Sequence, residues 1–211
     1  MNAQGKRSGE TAREYAYRMI REQVISLELK PGEAFNDMEF AAKIGVSRTP
    51  VREAVIQLSE ESRIIEIFPQ RGMRIAPIDV ELVEEARSLR VLLEKQIAGM
   101  CCEMATEEDI KWLQENVGLQ EFYMENSRPE MVMQLDDEMH HKLFMICHRE
   151  LTYGMCQKLA IHYDRIRSLS VNTVKDNTII EDHRKLSSLL PSIKRKCHGP
   201  DGKAFEPVAV K

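Results

Sequence analysis

The stretch Gly45-Val46-Ser47-Arg48-Thr49-Pro50-Val51-Arg52-Glu53-Ala54 decides the fold of the N-terminal part of this chain. Apolar residues recur along it at helical spacing and predict a short helix with one apolar face, at Val51, Ala54, Val55 and Leu58. The opposite face carries hydroxyl and guanidinium groups near the helix N-terminus, at Ser47, Arg48, Thr49 and Arg52. Such a helix is typical of DNA recognition, because its N-terminal side chains reach base edges while its back packs on a small core. Taken alone, an arginine such as Arg52 more often belongs to a solvated helix face.

The segments before this helix predict a helix and a tight turn. Asn36, with Glu39 three residues later, has the pattern of a helix N-cap. The helix that follows ends at Gly45, where a helix C-terminus favours a residue with positive φ. The order helix, turn, helix is therefore encoded in caps and breakers.

The segment after the helix predicts a β-hairpin. Two β-rich runs, at residues 64–68 and 73–76, flank a turn that contains proline and glycine. The tip carries Arg71 beside Gly72, so the backbone and the guanidinium can both approach a phosphate or a minor groove. We therefore predict a winged helix-turn-helix over residues 11–77, preceded by a flexible N-terminus at residues 1–10.

The order and spacing of these motifs resemble the DNA-binding domain of the GntR family of bacterial transcription regulators. The resemblance runs from Lys30-Pro31-Gly32 through residues 46–54 to Pro69-Gln70-Arg71-Gly72. It implies that Arg48 and Arg52 contact bases or phosphates in the major groove. It also implies DNA backbone contacts from Ser47 and Thr49, and entry of the wing at Arg71 and Gly72 into the minor groove.

One departure from this pattern precedes the wing, where the family has Glu-Gly-Leu and this chain has Glu61-Ser62-Arg63. Loss of a glycine at a helix C-terminus costs up to about 1 kcal/mol if φ is positive there. Arg63 in place of an apolar residue also predicts exposure or strain of the small core. We expect this domain to be less stable than its relatives.

Composition indicates an ordinary globular protein of one or two domains. No apolar run approaches the roughly 20 residues of a membrane span, and the N-terminus lacks the apolar core of a signal peptide. The five cysteines are odd in number and lack paired CxxC spacing, which predicts a reducing cytoplasm and no disulfide scaffold. The charge balance is +1 over residues 1–78 and −5 over residues 79–211. DNA affinity must therefore come from clustered basic groups and not from bulk charge.

The second part of the chain, residues 79–190, reads as an all-α helical bundle that follows the winged helix-turn-helix. Long apolar stripes at helical spacing and short links predict five or more helices, including one over roughly 152–172. The fold class is therefore mainly α. The segment at residues 191–211 is polar and rich in helix breakers, and we predict that it is disordered.

Asp136 and His140 stand four residues apart and share one helical face, while His183 belongs to a later helix. A carboxylate oxygen and imidazole nitrogens suit a divalent transition metal. Spacing alone favours a surface hydrogen bond between aspartate and histidine over a metal site. The neighbouring pair Asp137 and His141 has the same spacing, and helix register favours Asp136 and His140 only weakly.

Asp136-Asp137-Glu138-Met139-His140, with the later Glu181-Asp182-His183-Arg184, resembles the FCD effector domain of FadR-type GntR regulators. The resemblance implies that Asp136, His140 and His183 are metal ligands, with Zn or Ni as candidate ions, in a pocket that binds a small carboxylate. Arg90 matches an arginine that faces that pocket in the family. A salt bridge from Arg90 to Glu94 is an equally weighted alternative.

The chain departs from the FCD pattern after Leu186. The final helix, which usually carries a fourth histidine ligand, is not recognisable, and His198 lies in a turn-like context. A site with three ligands is expected to be weaker or more open to water.

These features predict a cytoplasmic, ligand-responsive transcription regulator that binds a pseudo-palindromic double-stranded operator as a homodimer, without catalytic activity. Its effector would be a small carboxylate. A metal-dependent hydrolase built on the Asp/His cluster is the alternative, although no nucleophile elbow or phosphate loop accompanies the cluster. A third hypothesis is a defective effector domain in a protein that binds DNA without responding to ligand.

Overall fold

The computed structural model describes residues 5–173 and 180–188, with side chains for all of these except 171–173. Two compact units divide the chain. One contains the described residues through Ser88 together with Cys156–Leu169, and the other contains Leu89–Met155 and the described residues from Ser170 onward. The sequence predicts a single helical domain over residues 79–190. The two compact units differ from this prediction, because residues 79–88 and 156–169 belong to the first unit. The predicted disordered segment at 191–211 lies outside the described residues, as do residues 1–4 of the predicted flexible N-terminus.

The first unit has the predicted winged helix-turn-helix. Its elements are α1 (Ala12–Ile25), β1 (Ala34–Phe35), α2 (Asp37–Ile44), α3 (Arg48–Ser62), β2 (Ile65–Phe68) and β3 (Gly72–Ile75). Strands β2 and β3 form the expected antiparallel hairpin. Strand β1 adds to the other edge of β3, so the sheet has three strands in the order β1-β3-β2. The sequence did not reveal β1, because two residues are too few to show alternation.

Local capping interactions fix the helix ends in this unit. The side chain of Asn36 accepts hydrogen bonds from the backbone N–H groups of Met38 and Glu39, which confirms the predicted start of α2. Gly45 ends α2 in the left-handed region with φ 74°, a conformation that glycine adopts without steric cost.

The end of α3 shows where the departure from the family pattern has its effect. Ser62 is still helical and donates its hydroxyl to the carbonyl of Leu58, so the missing glycine causes no strain at this position. The left-handed residue is Arg63, with φ 54°, and its side chain is exposed. The expected strain therefore lies in the backbone of Arg63, and the small core does not contain its side chain.

The remaining elements are helices, which confirms the predicted mainly α fold. They are α4 (Val80–Met104), α5 (Glu107–Glu125), α6 (Pro129–Ile146), α7 (Glu150–Leu159), α8 (Ile161–Thr173) and α9, a helical segment at 180–188. The single helix expected over 152–172 is instead two helices separated by a turn at Ala160, whose carbonyl accepts the N–H of Asp164. In the described part of the chain, no helix combines the length and apolarity needed to cross a membrane.

Helix α8 contributes to the core of the first unit. Ile161 is 1% exposed and lies in the same apolar cluster as the buried side chains of α1, α2 and α3. His162 accepts a hydrogen bond from the N–H of Asp79 at Nδ1, and its Nε2 lies 3.2 Å from the carbonyl oxygen of Ser62. Arg165, fully buried, donates to the carbonyl of Ala76 at 2.8 Å. These contacts fix the position of the segment that follows β3, residues 76–79.

Candidate nucleic-acid interface and metal centre

The predicted recognition helix is α3, and its polar face is open to solvent. Val51, Ala54, Val55 and Leu58 are all buried in the first unit's core. The four predicted DNA-contacting residues at the other face are exposed, namely Ser47, Arg48, Thr49 and Arg52. Ser47 is the N-cap residue of α3, yet its side chain makes no capping hydrogen bond. The hydroxyl and the first N–H groups of α3 therefore remain available to an anion.

One arginine of this face has a partner that the sequence did not predict. Arg48 Nε lies 3.0 Å from Oδ2 of Asp37, the first residue of α2. The Asp37 side chain is 4% exposed, whereas that of Arg48 is 57% exposed. The carboxylate is thus fixed by burial, and it anchors one edge of a guanidinium that still projects into solvent.

The wing lies beside α3 and closes one side of a groove. The groove has a volume of about 320 Å³, and its lining includes Arg48, Arg52, Phe68, Gln70 and Gly72. At the tip, Gln70 and Gly72 have φ values of 60° and 99°, which reverse the chain within the turn. Arg71 at the same tip is exposed. The described structure therefore brings the six predicted DNA-contacting residues to the recognition helix and the neighbouring wing of one unit.

The three predicted metal ligands come together in the second unit. One potential ligand atom from each of Asp136, His140 and His183 lies within 4.8 Å of the others. His183 Nε2 is 3.4 Å from Asp136 Oδ1, and His140 Nε2 is 3.8 Å from the same oxygen. Asp136 and His183 are buried, and His140 is mostly buried. Helix α6 supplies Asp136 and His140, and α9 supplies His183.

Each imidazole has an oxygen on the side away from Asp136. His183 Nδ1 lies 2.9 Å from Gln120 Oε1, and His140 Nδ1 lies 2.8 Å from Glu94 Oε1. The contact to Glu94 is close but poorly aligned, so His140 Nδ1 has no well-formed hydrogen bond among the described residues. Metal-binding histidines commonly have such outer oxygen partners, which orient the ring toward the ion.

Arg90 makes the predicted salt bridge to Glu94 and also lies beside the predicted metal ligands. Its Nε lies 2.6 Å from Glu94 Oε1, which is the i,i+4 salt bridge, and its Nη2 lies 3.6 Å from Asp136 Oδ2. Arg90 is therefore both paired with Glu94 and adjacent to the Asp/His cluster. The guanidinium balances the negative charge of the buried Asp136 and the partly buried Glu94.

The neutral ring of His183 suits a cation. Burial lowers the pKa of His183 to about 4, an effect that the Asp136 charge opposes and the His140 and Arg90 charges reinforce. Burial by itself would raise the pKa of Glu94, but His140 and Arg90 outweigh it and the pKa is lowered. A neutral imidazole and an ionised carboxylate are the forms that bind a divalent metal. The donor set of one carboxylate and two imidazoles therefore fits a transition metal such as Zn or Ni.

The structure also separates the two candidate pairs of α6. His141 stacks on the ring of Tyr153 at 4.6 Å, and the hydroxyl of Tyr153 donates to the backbone carbonyl of Asp137. The pair Asp137 and His141 is thus absent from the cluster that contains His183. The described structure therefore brings together with His183 the pair that the helix register favoured, Asp136 and His140.

The roles of Asp37, Asn116 and Gln120 were not predicted from the sequence, and Glu94 was predicted only as a salt-bridge partner. A signal for two of these was present, because Asn116 and Gln120 interrupt the apolar stripe of α5 at Leu113 and Val117 with helical spacing. Polar residues on a buried helix face need hydrogen-bond partners, so their presence in an apolar stripe indicates a buried polar contact.

Comparison with protein families matches both parts of the chain. The profile described as "Bacterial regulatory proteins, gntR family" matches residues 12–75, and the FCD domain profile matches residues 85–191. The Escherichia coli K12 HTH-type transcriptional repressor RspR is 29% identical over 175 residues, which cover 82% of this chain and 76% of that protein. The Nta operon transcriptional regulator of Aminobacter aminovorans is 31% identical over 126 residues, covering 60% of this chain and 59% of that protein.

Solved structures show the same fold. The Escherichia coli McbR/YncC structure aligns with a TM-score of 0.75 at 18% identity, covering 88% of this chain and 89% of that one. A GntR regulator from Rhodococcus sp. RHA1 aligns with a TM-score of 0.57 at 16% identity, covering 87% and 94%. These findings support a transcription regulator and give no support to the hydrolase alternative. The chain therefore belongs to the GntR family of bacterial transcription regulators and carries an FCD domain.

Proposed function

We propose that the protein binds a pseudo-palindromic operator as a homodimer and that a small carboxylate, bound at a divalent metal, changes its operator affinity. The observation that carries the DNA-binding part is the exposed N-terminal face of α3 beside the wing. Its arginines and hydroxyls match the chemistry of base edges and phosphates. A homodimer presents two such helices, and two symmetric half-sites explain a pseudo-palindrome.

Two features of the interface support recognition of a duplex by defined contacts. The first is the open N-terminus of α3, where Ser47 leaves its own helix uncapped and the backbone N–H groups favour a phosphate. The second is the wing, whose exposed Arg71 stands at a turn containing Gly72 and can follow the adjacent backbone or minor groove. The near-neutral charge of residues 1–78 makes these local groups decisive for affinity.

The effector part of the proposal rests on Asp136, His140 and His183 as metal ligands and on Arg90 beside them. A bound divalent ion would supply positive charge to which a carboxylate can coordinate. Arg90 would add a guanidinium, the side chain best suited to pair with a carboxylate. The proposed ligands do not include a fourth protein residue, which leaves coordination positions for water or the effector.

The first experiment selects operator fragments from a pool of genomic or random duplexes and measures binding by gel shift. Arg48→Ala is expected to weaken specific binding by about 1–3 kcal/mol, roughly 5- to 150-fold, through loss of a base contact. Arg87→Ala is the matched control, because Arg87 is an exposed arginine on α4 with an ordinary i,i+3 pair. Equal affinities of Arg48→Ala and the parent protein for the selected operator would contradict the role of Arg48.

A second experiment tests the effector site and the regulatory role together. The protein is loaded with Zn²⁺ or Ni²⁺, and operator binding is measured against a panel of small mono- and dicarboxylates. One acid should change operator affinity in the parent protein and have no effect in His140→Ala. Hydrolysis of ester or amide substrates that requires metal and His140 would favour the enzyme alternative instead.

A further inference from the structure

We infer that Gln120 and Asn116 are positioning residues that fix the tautomer of His183 and hold its Nε2 ready for the metal. The inference rests on the proposed metal site and concerns the directional hydrogen bonds behind it. Asn116 Nδ2 lies 3.1 Å from the carbonyl oxygen of Leu135, and Gln120 Nε2 lies 2.7 Å from Asn116 Oδ1. Gln120 Oε1 then lies 2.9 Å from His183 Nδ1.

The donor and acceptor of each hydrogen bond in this series follow from the first bond, which joins Asn116 to the carbonyl of Leu135. A backbone carbonyl can only accept a hydrogen bond, so the group of Asn116 that faces Leu135 must be the amide NH₂. The carbonyl oxygen of the Asn116 side chain then faces Gln120 and accepts from its NH₂ group. The remaining atom of the Gln120 amide is its oxygen, which points at His183.

The consequence at His183 is a single favoured tautomer. Because Gln120 Oε1 can only accept, His183 Nδ1 must carry the hydrogen. In the neutral ring, Nε2 then has its lone pair, and this atom lies 3.4 Å from Asp136 Oδ1. The opposite tautomer would place an N–H on Nε2, where it would donate to Asp136 and occupy both proposed ligand atoms.

Burial makes this arrangement costly to reverse. Gln120 is 0% exposed, Asn116 is 3% exposed and His183 is 8% exposed. Flipping either amide would set acceptor against acceptor or donor against donor among buried side chains, and each unsatisfied buried group destabilises the folded protein. The carbonyl of Leu135, the residue before Asp136, thus determines the orientation of a histidine on another helix.

The test compares substitutions of Gln120 that keep or remove the acceptor. Full-length Gln120→Leu is expected to bind Zn²⁺ and Ni²⁺ about 10- to 100-fold more weakly than the parent protein, by titration against a chromophoric chelator. Gln120→Glu retains an acceptor for Nδ1–H but replaces the donor that faces Asn116 Oδ1 with an acceptor, so its metal affinity should lie between those of Gln120→Leu and the parent. Gln114→Leu is the matched control on the exposed face of the same helix and should leave metal affinity unchanged.

A second measurement separates positioning from a merely structural role. Nitrogen-15 NMR of the metal-free protein should show His183 with its hydrogen on Nδ1, and Gln120→Leu should shift the ring toward the Nε2–H tautomer. Circular dichroism confirms that the compared variants are folded. A folded Gln120→Leu variant with parental metal affinity and parental tautomer would overturn the inference.

The outcome for the metal also separates this inference from DNA recognition. A parent protein that binds neither Zn²⁺ nor Ni²⁺ would refute the positioning role, whatever its DNA affinity. Failure to select an operator would refute the proposed DNA binding and leave the metal titration and the tautomer measurement interpretable.

Discussion

Substitution of Asp37 by asparagine should reduce the selectivity of this protein for its operator while its general affinity for DNA rises. Asp37 Oδ2 contacts Arg48 Nε at 3.0 Å and is almost fully buried, so it holds the guanidinium at one orientation before DNA arrives. Preorganisation lowers the entropy that a long side chain loses on binding. Without the carboxylate, Arg48 would be free to contact phosphates as well as a base.

The magnitude follows from the loss of the ion pair. Arg48 stays charged in Asp37→Asn and can still donate to the amide oxygen, so the substitution removes the charge attraction of a half-exposed pair, which contributes up to about 1 kcal/mol. This corresponds to about a fivefold loss of specific affinity for one recognition helix. It corresponds to about a thirtyfold loss for a dimer with two independent helices.

Non-specific affinity should change in the opposite direction. Removing a negative charge near the interface strengthens attraction to phosphates, which supply most non-specific binding. The ratio of operator affinity to affinity for scrambled DNA should therefore fall. The assay is fluorescence anisotropy with both duplexes over a series of salt concentrations.

Two controls make this prediction refutable. Glu53→Gln removes the same charge from the exposed surface of α3 and should raise both affinities without reducing their ratio. Thermal melting detects any loss of α2 stability, since an acidic residue in the first turn contributes about 0.3–1 kcal/mol. If Asp37→Asn kept the parental affinity ratio while remaining folded, Arg48 would not depend on Asp37 for selectivity.

Two further predictions concern stability. Arg63→Gly should raise the free energy of unfolding by about 0.5–1 kcal/mol in thermal or urea melts, because glycine accepts the left-handed backbone at the end of α3. The control Gln57→Gly, inside the same helix, should lower it by about 1 kcal/mol, and destabilisation by both substitutions would contradict the strain at Arg63. Burial lowers the pKa of His162 from 6.5, so the neutral ring is favoured in the folded state. The contribution of this ring to the free energy of unfolding is therefore fully present above pH 6.5. That contribution should decline as the pH falls below 6.5, because protonation of Nδ1 removes the acceptor for the N–H of Asp79. Over this pH range, the melting temperature of the parent should therefore fall more steeply than that of His162→Gln. Parallel pH profiles for the two proteins would refute this role of His162.

The sequence revealed features that depend on local patterns. The helix-turn-helix could be predicted because caps, breakers and apolar spacing act over a few residues, as the Asn36 cap and the Gly45 terminus demonstrate. Asp136 and His140 could be placed on one face for the same reason. Their association with His183 required a family resemblance, since periodicity within one helix does not specify its neighbour.

The missed features depend on tertiary contacts. Asp37 resembles any acidic residue in a first helical turn until α3 brings Arg48 beside it. Gln120 resembles an interruption of an apolar stripe until His183 supplies its partner. The role of α8 was equally hidden, because the apolar spacing of Ile161 does not distinguish one core from another.

The first unit contains Ile161, His162 and Arg165, which lie far along the sequence from its other residues, and this has a consequence for biosynthesis. Residues near 77 leave the ribosome roughly 80–90 residues before the segment Cys156–Leu169 that completes the same unit. At bacterial elongation rates of about 5–20 residues per second, this interval lasts several seconds. During that time the nascent winged helix lacks the Ile161 side chain that its core contains in the finished protein. A fragment that stops at residue 77 would retain this deficit permanently and expose apolar surface to chaperones and proteases.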